Sequence, residues 1–179
     1  QMRGQEPTGL PGANRFDHAI CYVPAIEGSD YWLDGTTDIN NLSELPTKDQ
    51  GAMALVTGPD GGRQMQIPED PPEANQENNQ YEITLAKDGS AKVNATFAYK
   101  GAHAPFYRRI FEAPERFRQN LEEFIKQRFP GALVDAFNVN DKDVSNLEPT
   151  VKLAITIPKL AKVDGDKLSF SPFLLPQKL

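Results

Sequence analysis

Residues 81–100 read Tyr-Glu-Ile-Thr-Leu-Ala-Lys-Asp-Gly-Ser-Ala-Lys-Val-Asn-Ala-Thr-Phe-Ala-Tyr-Lys. Tyr81, Ile83 and Leu85 alternate with Glu82 and Thr84. Ala91, Val93, Ala95, Phe97 and Tyr99 alternate with Lys92, Asn94, Thr96 and Lys100. Successive side chains of a strand point to opposite faces, so each run has one apolar face to bury. Lys87-Asp88-Gly89-Ser90 between them carries an Asp-Gly hairpin turn. The stretch predicts two antiparallel strands.

Downstream the period changes. A short helix or turn is expected at 105–112. In 114–129, Phe117, Leu121, Phe124 and Ile125 fall on one helical stripe, read as core. Pro114 suits a first helical turn, and Phe129-Pro130-Gly131 stops the helix. Residues 132–139 read as a strand, and Val151, Leu153, Ile155 and Ile157 alternate as another. Asp164-Gly165 makes a last hairpin into Leu168 and Phe170. The order β-β-α-β-β-β predicts an α+β domain over 81–179, its helix on one face of an antiparallel or mixed sheet.

Upstream, 68–80 reads Pro-Glu-Asp-Pro-Pro-Glu-Ala-Asn-Gln-Glu-Asn-Asn-Gln, with one Ala as its apolar content, and is expected to be a linker. Residues 1–67 form a β-rich part. Residues 16–23 stop at Pro24, 26–30 turn, and Tyr31-Trp32-Leu33-Asp34 returns, giving a hairpin over 16–34. Residues 35–50 are polar and irregular. Residues 51–57 are a third strand, and 63–67 return from the turn at Gly58-Pro-Asp-Gly-Gly62. Residues 1–15 read as loop, and the polar opening from Gln1 is taken as a truncation.

Bulk properties narrow the function. A net charge of −6, with no basic stripe, argues against nucleic acid and anionic lipid. No apolar run of about 18 residues is present, so no membrane span is expected. One cysteine, Cys21, and two histidines, His18 and His103, leave no intrachain disulfide and no cysteine zinc site. No metal or cofactor is expected.

Chemistry concentrates at 16–50. If His18 faces one side of its strand, Ile20 and Tyr22 share that side and Cys21 takes the other. Asp34 ends the paired strand, where a carboxylate can be set beside an imidazole, fix its tautomer and stabilise its protonated form. Such an imidazole can activate a thiol. Cys21, three residues away on the opposite face, cannot be that thiol and is expected to be a small buried hydrophobe.

Three stretches carry a family resemblance: Phe16-Asp-His-Ala-Ile20, Tyr31-Trp-Leu-Asp-Gly-Thr36, and the later Leu45-Pro46 followed by Asp49-Gln-Gly-Ala-Met-Ala-Leu-Val56. Together they resemble the second half of the transglutaminase-like core of large bacterial proteins. The resemblance implies a papain-like fold, with His18 as the family's histidine and Asp34 as its aspartate. It implies a nucleophilic cysteine at a helix N-terminus several tens of residues before the histidine. Residues 1–67 would then be the C-terminal portion of that core. Residues 81–179 are more weakly similar to the small C-terminal domain of unknown function in such proteins. The family's Leu-Asp-Pro-Thr stands here as Leu33-Asp34-Gly35-Thr36. The resemblance implies a periplasmic or cell-envelope setting, and a protein or peptide substrate for the parent protein.

Two functions follow. In one, the chain is the His-Asp part of a Cys-His-Asp acyl-transfer enzyme, inactive alone for want of the cysteine. In the other, it is a non-catalytic scaffold whose 81–179 domain binds a protein partner along a sheet edge. The remaining features have plainer readings. Asp34/Asp38/Asn40 and Asn140-Asp141-Lys142-Asp143 lack the EF-hand order and read as polar turns. Trp32 reads as cross-strand aromatic cover, His103 as an exposed loop residue, and Arg108-Arg109 as a solvated pair.

Overall fold

The computed structural model describes residues 16–171 apart from 27, 37, 60, 141, 142 and 144. The expectations for 1–15, and for Asp141 and Lys142, lie outside the described residues. In chain order the elements are β1 (Cys21–Ile26), β2 (Ser29–Leu33), β3 (Met53–Gly58), β4 (Gly61–Gln66), β5 (Glu77–Leu85), β6 (Ala91–Tyr99), α1 (Ala104–Phe111), α2 (Pro114–Arg128), β7 (Leu133–Val139), β8 (Thr150–Ile157), β9 (Lys162–Asp164) and β10 (Lys167–Ser169). Single 3-10 turns stand at Pro72–Ala74 and Gly101–His103.

The alternating runs pair as read. β5, β6, β8 and β7 form a four-stranded sheet in that order, each neighbour antiparallel. Its inner face carries Val93, Phe97, Tyr99, Val151, Ile155 and Ile157, and the helices cover it with Tyr107, Phe111, Leu121 and Ile125. Tyr107 of α1 stacks on Tyr99 of β6 with ring centroids 3.3 Å apart. The Asp-Gly turn needs its glycine twice over. Gly89 has φ +83°, and a Cβ there would lie 2.4 Å from the carbonyl oxygen of Ala161.

Several expectations shift. Glu77–Gln80, expected as linker, are strand, because an edge strand needs one backbone partner and tolerates polar side chains on both faces. Phe124 is not core: it is 38% exposed, at the margin of a stripe whose centre is Leu121 and Ile125. The first hairpin also starts later than read. β1 begins at Cys21 and runs through Pro24 to a bulge before Ile26, leaving His18 on the chain that leads into it. Cys21 is exposed rather than buried: it lies on the two-stranded β1–β2 ribbon, and among the described residues nothing covers it.

The 16–67 part is two ribbons, β1–β2 and β3–β4, linked by the long segment 34–52. Among the described residues, its buried hydrophobic side chains are Ala52 and Ile67 alone. Polar contacts tie it to the rest. Gln50 bonds Asp70 through both ends of its amide, at 2.8 and 3.0 Å. Arg109 meets Asp38 at the surface, but Arg108 is not the solvated residue expected: its side chain is fully buried against Glu44.

Candidate functional site

The register of the first ribbon sets the site. Cys21 pairs with Leu33, so the chain just before Cys21 runs beside the chain just after Leu33. His18 and Asp34 meet there, with His18 Nε2 3.2 Å from Asp34 Oδ2. The Asp34 side chain has no exposed surface, and that of His18 is 17% exposed. Asp34 is also the hinge of a tight turn. Its Oδ1 accepts the backbone N–H of Thr36 at 2.9 Å, which folds the side chain back onto its own backbone.

Burial opposes ionisation of Asp34. Hydrogen bonds from the hydroxyl and amide of Thr36, from His18 and from Asp49 outweigh that burial and hold the carboxyl at about 2. Asp34 is therefore a carboxylate at neutral pH. The 3.2 Å contact is one in which His18 Nε2–H donates to it. That places the proton on Nε2 and makes Nδ1 the basic nitrogen. Lys48 Nζ adds positive charge 3.9 Å from the same oxygen.

Asp49 is the residue the sequence reading missed as a site member. Its side chain is fully buried, and its carboxylate shares a space with His18 and Asp34 in which all three ligand-type atoms lie within 4.8 Å of one another. A turn places it, with Asp49 N–H donating to Pro46 O at 2.8 Å, and Gln50 then fastens the turn to Leu45 and Asp70. Two carboxylates that close cannot both carry full charge without compensation. A side-chain contact from Asp49 is among the contributions that lower the Asp34 carboxyl. The same three side chains are the His-carboxylate-carboxylate donor set that a divalent cation could use. The signal for it in the sequence was no more than an acidic residue three positions before the apolar run 52–56, in a stretch read as polar and irregular.

No family model, no curated protein and no solved structure matches the chain.

A cleft of about 880 Å³ opens between the two ribbons. His18 lies in its wall beside Ile20, Tyr22 and Trp32, while Leu55, Val56 and Arg63 come from the facing ribbon. His18, Ile20 and Tyr22, expected on one side, line the cleft together with Ala19, which lies outside that alternation because 16–20 are not strand; Cys21 is not part of the lining. Tyr22 and Trp32 pair across β1–β2 with centroids 4.8 Å apart, and Arg63 donates to the Tyr22 hydroxyl at 3.0 Å. Trp32 is thus cross-strand aromatic cover and cleft wall together. His103 lies apart from this site, 3.5 Å from Glu77. Asp38 is drawn outward to Arg109, away from Asp34.

Proposed function

We propose that this chain carries the base and the orienting carboxylate of a thiol acyl-transfer site of the transglutaminase-like kind. The observation that supports the reading is the His18 Nε2–Asp34 Oδ2 hydrogen bond at 3.2 Å, which joins an imidazole in the wall of a cleft to a fully buried carboxylate behind it. A carboxylate so placed holds the imidazole in one tautomer and stabilises the imidazolium, which is what a general base next to a thiol requires.

In this reading His18 Nδ1 takes the proton of a thiol held in the cleft. The thiolate attacks the carbonyl carbon of a glutamine side-chain amide or a peptide bond. The tetrahedral adduct collapses as the C–N bond breaks, and His18 returns the proton to the departing nitrogen, leaving a thioester. Water or an amine then attacks the thioester, His18 takes the attacker's proton, and the thiol is released. Asp34 orients the ring throughout. The thiol comes from another polypeptide segment, because Cys21 is the chain's one cysteine and does not line the cleft.

Two assays test this. The chain alone is expected to release no ammonia from glutamine amides and to incorporate no amine. Turnover by the chain alone that is lost in His18→Ala would overturn the external thiol. In a polypeptide that includes the thiol, His18→Ala and Asp34→Asn are each expected to abolish ammonia release while the protein stays folded. Full activity in either variant would overturn the assignment of the base.

A further inference from the structure

We infer that Arg108 of α1 is a positioning residue for the His18 site, so that the sheet-and-helix part of the molecule sets the geometry of a site lying wholly outside it. The inference rests on the reading of His18 as a base. The segment 34–52 carries Asp34 near its start and Asp49 near its end. Its middle lies over the start of α1, leaving a small cavity of about 290 Å³ bordered by Asp34 and Lys48 on one side and Ala102 and Pro105 on the other.

Arg108 holds that middle. Its Nε donates to Ile39 O at 3.0 Å, its Nη1 to Glu44 Oε1 at 3.1 Å and to Asn146 O at 2.7 Å, and its Nη2 to Glu44 Oε2. Glu44 in turn accepts the backbone N–H of Asn41 at 2.9 Å, which shapes the segment around the ion pair. One guanidinium therefore joins three chain segments: the site segment, α1, and the connection between β7 and β8. The next residue inward, Tyr107, is stacked on the central strand β6, so the anchor is as rigid as the sheet.

The chemistry favours a geometric role. A buried ion pair recovers little net stability, since desolvation of both ions offsets their attraction, and apolar replacements are often as stable. A guanidinium differs from an apolar side chain in fixing direction: its planar fork holds a carboxylate and two carbonyls in one arrangement. Here that arrangement determines where Asp34, Lys48 and Asp49 can sit relative to His18.

The test is nitrogen NMR of the two imidazoles, with His103 as the internal reference for the α1 side. The wild type is expected to show His18 as the Nε2–H tautomer. In the double variant Arg108→Met/Glu44→Leu, which removes both members of the buried ion pair together, the protein is expected to fold and His103 to keep its signals. His18 should become a mixture of tautomers, with ring N–H exchange about tenfold faster. A folded double variant with an unchanged His18 signature overturns the inference. If the double variant does not fold, Glu44→Gln is read in the same way. If neither folds, hydrogen exchange on the unaltered protein decides. The amides of Thr36 and Asp49 are expected to open together with Arg108 Nε–H, and independent opening overturns the inference. A wild-type His18 lacking the Nε2–H tautomer would instead sink the base assignment, so the two failures are distinguishable.

Discussion

At the scale of single residues the site turns on how Asp34 keeps its charge in a buried place. Desolvation disfavours the carboxylate, and donors from Thr36, His18 and Asp49 reverse that preference, bringing the carboxyl from 3.8 to about 2. The sign follows by linkage. A depressed carboxyl stabilises the fold fully above its ordinary value, and the contribution fades as pH falls from 3.8 towards about 2. Its size is on the order of 2 kcal/mol. Urea unfolding of wild type and Asp34→Asn should therefore differ by roughly that amount at neutral pH and converge near pH 2. A gap that stays constant down to pH 2 would contradict the account. Asp49→Ala is expected to act on the same carboxylate: removing a contact that lowers the Asp34 carboxyl should move the acid limb of the stability curve to higher pH, seen in the same titration.

At the scale of elements the contrast is between a well-cored sheet and a loop held by polar ties. Ile125 of α2 is 1% exposed in the middle of the main core, and Ile125→Ala should cost about 2–5 kcal/mol in denaturant unfolding. Phe124→Ala, one residue earlier but 38% exposed, should cost much less in the same measurement, although the periodicity puts both on one stripe. Gly89→Ala meets both a left-handed backbone and the Ala161 carbonyl, so it should destabilise by about 1–3 kcal/mol. The segment 34–52 has no such core. Its order comes from the Arg108–Glu44 pair and the Gln50–Asp70 contacts, and Arg108→Ala should cost about 3–5 kcal/mol because it strands Glu44 in a buried place.

At the scale of the whole molecule the two parts differ in what they can do alone. With Ala52 and Ile67 as its buried hydrophobic residues among those described, the 16–67 part has too little apolar burial to offset the entropy of ordering it. Expressed alone, residues 16–67 should show rapid amide exchange throughout and no cooperative melt. In the intact chain, amides around Asp49 should be protected. Independent folding of 16–67 would show that its ribbons carry more of their own stability than their burial indicates.

The sequence by itself determined the strands and the longer helix, while the strand order β5-β6-β8-β7 and the helix at Ala104–Phe111 were decided by the structure. Strands β5, β6 and β8 and helix α2 each bury one face, and burial of one face writes a period of two or of 3.6 into the residues. It also indicated that His18 and Asp34 belong together, because a short antiparallel ribbon relates residues close in sequence. Asp49 and Arg108 were decided only by tertiary structure. Each looks like an ordinary surface charge in its local stretch, and each is buried because a chain segment distant in sequence folds over it. Ion pairing and carboxyl–carboxylate contact leave no periodic trace, since they depend on which polar groups meet rather than on which face is apolar. The same reason hid the exposure of Cys21, which depends on what packs over the β1–β2 ribbon and not on the residues beside it in sequence.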